Sequence, residues 1–456
     1  MLLVNKISIC RPNQQQQQLY NKNVQQTTFY NTYCLSQQPV AFTGKYGTFK
    51  EVIINKYLTF RLKKVLRECD LICQNLDKNN SNFKGDILSD KCKNLLNYVA
   101  KKTKTMLIHP LIEIDFSKIK ILTAEQGINL SSKQKTELFK RFNLSKTRKK
   151  ITNNAIESLE FLKNSKLFES SSNIIQNAIN KMSRAIRCVG LAEEVKNIVI
   201  KSEDNLGVKL DIPDSPDLAK NIYSCLAQHK IANLALPKEI SFNDFVFFTT
   251  HNPALSASYV SGIKPGSPKQ IYLNPIFLIS RQDKNDSSSV IEDLEHELGH
   301  FWHNLKIGDR AFHSKRMNSL DGFLSIEENN FLLDLKNKLS EKVCFVPNLD
   351  LTGRVNEDLS EIIPDLQNMI NHRQDLEIED ILTKENISKF NQIIQNLNEL
   401  TSITSKNFPD CPDEVVYALT SPKELIAFAI QKRHRYKYDP AFLEMLKRFG
   451  MPDLKN

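Results

Sequence analysis

No apolar run in this 456-residue sequence approaches the 18 or so residues that a membrane span requires. The opening, MLLVNKISIC, is interrupted by Lys6 and holds no apolar region of signal-peptide length. The expectation is a protein soluble where it is made, cytoplasmic or exported by a route that needs no cleaved signal. Nine cysteines are present, an odd number, yet no Cys-x-x-Cys pair occurs. That spacing argues against zinc knuckles and against a disulfide framework, and favours buried thiols in a reducing compartment, with Cys69 and Cys73 four apart on one helical run. Charge of one sign is not dominant either. The net +10 from 62 Lys and Arg against 52 Asp and Glu is mild for this length, so nucleic-acid binding is not demanded.

What is present divides into three stretches. Residues 1–45 are rich in Gln, Asn, Thr and Tyr, with five glutamines at Gln14 to Gln18. Such sequence buries too little apolar area to offset chain entropy, and it reads as a disordered leader. Residues 46–205 show apolar residues three and four apart with little glycine, the pattern of a helical region, and no repeat period. Within it, residues 131–150 hold eight Lys or Arg against one acid, Glu137. Such a run is ordinarily a solvated helix face, the alternative being a phosphate-binding helix. Around 202–216, Gly, Pro and acidic residues mark the entry to a last region, 206–456.

There the period changes. After a helix ending before Pro237, the segments 240–250, 254–262 and 269–274 read as three short strands, the second pair separated by a Pro265-Gly266 turn. Next comes SVIEDLEHELGHFWHNL, residues 289–305, with apolar Val290, Leu294, Leu298, Phe301 and Leu305 on a helical period and a capping-box start at Ser289 and Glu292. It carries His296-Glu297-Leu298-Gly299-His300. On a helix the two histidines lie about 40° apart, so both imidazoles converge on one ion while Glu297 projects beside them. This is the H-E-x-x-H arrangement of two zinc ligands and a carboxylate that serves a water molecule. The other reading is a pair of solvated surface histidines. Phe301 and Trp302, the single Trp of the chain, weigh against a helix open to solvent all round.

Zinc in a catalytic site takes three protein ligands. The metzincin extension requires Gly at 303 and His at 306, where this chain has His303 and Lys306, so that subclass is excluded. His303 is read as a surface residue or an outer partner of the site. Downstream carboxylates include Asp321, Glu327, Glu328, Glu361, Glu414 and Glu424. Ser421-Pro422-Lys423-Glu424 is also a capping box with Pro at the first helical position, which assigns Glu424 a structural role instead.

The order of helix, short strands and motif helix, with IYLN some twenty residues before LEHELGHFWHN, resembles the zincin metallopeptidases over about residues 215–435. The segment DEVVYALTSPKELIAFAIQKR is similar to the third-ligand helix of the glutamate-zincin group, where a Glu near a helix start is followed three residues later by a small one, here Ala427. The resemblance implies an α+β fold with a small twisted sheet over the motif helix, and one Zn²⁺ per chain held by His296, His300 and Glu424. It implies Glu297 as general base and Tyr417 as a donor to a developing oxyanion, against the plain reading of Tyr417 as amphipathic core. It implies hydrolysis of a protein or peptide substrate, which an edge strand would hold in extended form. The competing class is a non-catalytic interaction protein of zincin-like shape, binding nucleic acid through the basic segment. A packed helix completes the chain beyond Arg433.

Overall fold

A computed structural model describes residues 47–78, 88–104, 115–125, 127–250, 255–262, 268–281, 287–342, 359–374 and 376–453. The expected leader lies outside them. The described chain is mostly helical with one small mixed sheet, an α+β architecture. No helix among the described residues is long and apolar enough to cross a membrane.

The chain divides into two compact units. One holds, among the described residues, 47–258 and 272–291; the other holds 259–271 and the chain from 292 onward. In the first, long helices Gly47–Lys78 and Ser172–Cys188 pack through Leu58, Leu62, Val65, Ile175, Ile179 and Met182, all nearly inaccessible. These positions recur three and four apart, so each helix presents one continuous apolar stripe to its neighbours. The six described cysteines, Cys69 and Cys73 among them, are buried as thiols.

The basic segment forms the helix Ser132–Ile151, begun by a true capping box between Ser131 and Gln134. It is not wholly a solvated face. Arg148 is buried, pairing with Asp211 at 2.6 Å and donating to the carbonyls of Arg187 and Val189 at 2.9 and 2.7 Å. Arg141 is buried beside Glu137. Lys133, Lys135, Lys140, Lys146 and Lys150 remain exposed.

Four strands form the sheet: β1 (Lys209–Asp211), β2 (Glu239–Ser241), β3 (Ala257–Ser261) and β4 (Lys269–Leu273). Their order is β1-β2-β4-β3, with β1 and β2 parallel in the register Lys209 to Glu239 and Asp211 to Ser241. β3 is therefore an edge. The strand expected over 240–250 is a correction: it ends at Ser241, and Phe245–Thr250 is a helix. Asp244 accepts from the Phe247 N–H at 2.9 Å, as an N-capping carboxylate does, and the resulting turn buries both Phe245 and Phe248. Aromatic β-propensity gave way to a cap and a core.

Candidate metal centre

The motif helix spans Ser287–Ile307. Val290, Leu294, Leu298, Phe301 and Trp302 are buried along it, whereas Leu305, expected in the same stripe, is 46% exposed. The helix begins two residues before the expected cap at Ser289, and Glu292 pairs with the buried Lys432 at 3.0 Å instead of closing a capping box. Against this helix lies a shorter one, Pro422–Lys432, which we call the ligand helix. Pro422 occupies its first turn, where its missing N–H costs nothing, and Ser421 Oγ accepts from the Glu424 N–H at 3.3 Å.

The two helices come very close because of one residue. A Cβ on Gly299 would stand 2.9 Å from Ala427 Cα and 3.0 Å from its carbonyl oxygen. Glycine at 299 and alanine at 427 thus let one backbone rest on the other, and this contact brings Glu424 within reach of the motif.

Glu424 Oε2 lies 3.1 Å from His296 Nε2 and 3.2 Å from His300 Nε2. The imidazole centroids are 4.8 Å apart with planes at 88°. The donor atoms of His296, Glu297 and His300 also lie within 4.8 Å of one another. Glu424 therefore directs its carboxylate at the histidines and leaves only its backbone N–H to Ser421. Tetrahedral zinc with ligands at 2.0–2.1 Å holds its donor atoms about 3.3 Å apart, close to the separation of Glu424 Oε2 from each imidazole nitrogen. Two nitrogens and one carboxylate oxygen are also the ligand set of His₂Glu catalytic zinc, so the residues fit the ion. His296 Nδ1 has Gln431 Oε1 at 3.4 Å as an outer partner, while the buried His300 Nδ1 has none among the described residues.

No protein-family model, curated protein or solved structure matches this chain.

The electrostatics follow from burial against charge. Burial alone would raise the Glu424 pKa, but the charge of His300, bonds from both imidazoles and Lys423 hold it well below the usual carboxylate range. Burial lowers His296 less than its bond to Glu424 and the charges of Glu424 and Glu297 raise it, so its pKa is raised. His300 is pulled down to about 4 by burial, Glu424 only partly opposing. Glu297 is pushed up to about 7 by burial and by the charge of Glu424, against His296 and the Tyr259 backbone. Tyr417 is 46% exposed, and its ring centroid lies 6.2 Å from that of His296. The charge of Glu424, then burial, hold the Tyr417 hydroxyl well above its ordinary pKa, so it stays protonated.

Three of the other carboxylates are engaged elsewhere. Asp321 pairs with Lys315 at 3.1 Å, Glu328 accepts from the Ser325 N–H and Asn396, Glu414 pairs with Lys432 at 3.2 Å, and Glu327 is exposed. The side chain of Glu361 lies outside the described residues. His303 is not a surface residue: it is fully buried, with Nε2 donating to the Phe449 carbonyl at 2.8 Å. The sequence reading missed Gln431, Lys423, Tyr259 and Asn304. Gln431 is seven residues, two turns, after Glu424, a spacing that puts both on one helix face and was available as a signal.

Proposed function

We propose that this chain is a zinc-dependent metallopeptidase of the glutamate-zincin kind, with His296, His300 and Glu424 as metal ligands. The observation that supports it most is a single carboxylate oxygen within 3.2 Å of both motif imidazole nitrogens, presented by a helix 128 residues beyond His296. When bound, zinc supplies Lewis acidity toward a scissile carbonyl and acidifies a water. Glu297 takes the proton of the attacking water and returns it to the departing amine. Tyr417, held protonated, donates toward the carbonyl oxygen as negative charge gathers there. The substrate is a protein or peptide in extended form, lying along β3, an edge strand to which an extended chain can add by backbone pairing.

Elemental analysis of protein purified without chelator tests the centre. The expected result is near one zinc per chain, falling in His296→Ala and in Glu424→Ala. Glu297→Gln should keep the zinc and lose about 10²- to 10⁴-fold in peptide hydrolysis, the usual worth of a general base. A wild-type chain that takes up no zinc would remove this reading and leave a non-catalytic interaction protein.

A further inference from the structure

Tyr259, on the edge strand β3, meets one face of the motif helix at three points. Glu297, Phe301 and Asn304 are spaced by four and by three residues, so they line one side of that helix. The Tyr259 backbone faces the Glu297 carboxylate and lowers its pKa against the larger effect of burial. Its ring packs edge-on against Phe301 at 6.0 Å between centroids, and its hydroxyl accepts from Asn304 Nδ2 at 3.1 Å. Asn304 is fully buried and its amide is shared around the strand pair. Nδ2 also donates to Ser261 Oγ at 2.8 Å, and Oδ1 accepts from Lys269 Nζ on β4 at 3.2 Å. Tyr259 and Ser261, two residues apart, point to the same face of the strand, so one amide grips both.

A slip of β3 by one residue would turn both side chains to the opposite face and carry the Tyr259 backbone away from Glu297. Apolar groups of similar size would fill the same space. Buried polar groups that satisfy one another add what apolar packing lacks, namely a single permitted register.

We propose that Tyr259 and Asn304 are positioning residues, which fix the register of the edge strand on the motif helix and so hold the Tyr259 backbone beside the Glu297 carboxylate. The inference rests on the reading of Glu297 as general base. Among the described residues, no hydrogen bond joins either side chain to a candidate metal ligand.

The test uses the full zinc-loaded chain as wild type, Asn304→Leu, Tyr259→Phe and the double variant, with a peptide that the wild type cuts, found in a quenched peptide library. Amide hydrogen exchange is read in β3 and in the ligand helix. Asn304→Leu should raise exchange in β3 about tenfold or more while leaving the ligand helix and zinc content unchanged, since opening is local. Its kcat should fall about 10- to 100-fold, the usual cost of losing an outer-shell partner, with KM nearly constant. Tyr259→Phe should move in the same direction by less, and it decides the matter if Asn304→Leu does not fold. The double variant should be no worse than Asn304→Leu, because the shared bond is already gone. Unchanged β3 exchange, or unchanged kcat in both single variants, overturns the proposal while the peptidase reading stands. A wild type with no zinc and no hydrolysis overturns the peptidase reading and with it the catalytic purpose, and β3 exchange then still reports whether the clamp exists.

Discussion

Gly299 occupies a place where a helix would ordinarily prefer alanine by about 1 kcal/mol. Here the preference reverses, because a methyl group there meets the Ala427 backbone at 2.9 Å and neither helix backbone can turn aside as a side chain would. Gly299→Ala should therefore destabilise the fold by about 1–3 kcal/mol, the cost of overpacking, and should lose zinc by moving Glu424 away from the histidines. Thermal unfolding and zinc stoichiometry measure both; a stabilised, zinc-replete variant would disprove the contact. His303 carries a prediction of different kind. Its Nε2–H serves Phe449 while its buried Nδ1 has no partner among the described residues, so a second proton has nowhere favourable to go. Burial accordingly lowers its pKa to about 4 from an ordinary 6.5. A histidine whose folded pKa is depressed contributes full stability above pH 6.5 and loses it as pH falls from there toward 4. The loss should reach up to about 3 kcal/mol. Denaturant unfolding between pH 7 and 4 should show this slope, and His303→Asn should flatten it.

At the scale of elements, the ligand helix depends on its first turn. Ser421 is buried, and its hydroxyl is the acceptor for the Glu424 N–H at the very residue that reaches the histidines. Ser421→Ala should cost about 1 kcal/mol in unfolding free energy, as loss of a helix cap does. It should also weaken zinc binding in a chelator competition, because the turn that aims Glu424 would fray; unaltered affinity would mean that packing alone holds the turn. Much of this level was legible in advance. The period of Val290, Leu294, Leu298 and Phe301 located the motif helix, and a Pro-led helix start located Glu424. Residues 240–250 were misread because a run of Phe and Val looks the same whether it enters a strand or a short helix. Only the cap at Asp244 and the partners of Phe245 distinguish the two.

For the molecule as a whole, all the candidate ligands, Tyr417 and the clamp at Asn304 lie in the same compact unit. Zinc that binds only the folded form should raise its stability by about 2.7 kcal/mol when free zinc is a hundred times the dissociation constant. Chelator should lower the unfolding midpoint of the wild type and leave that of His296→Ala unmoved; equal sensitivity in both would place the metal elsewhere. The sequence alone determined what depends on spacing along one element: the buried stripe of the motif helix, two imidazoles and a carboxylate on neighbouring positions, thiols on a helical core, and a helix start with Glu424 in its first turn. Tertiary structure decided what depends on two elements meeting. It brought the Glu424 carboxylate to the histidines, buried His303 beneath Phe449, and set Tyr259 on Asn304. The physical reason is reach. Periodicity records which face of a helix turns inward, but a distance of 3.1 Å between residues 296 and 424 arises from backbones in contact at Gly299 and Ala427, and that contact joins two elements more than one hundred residues apart.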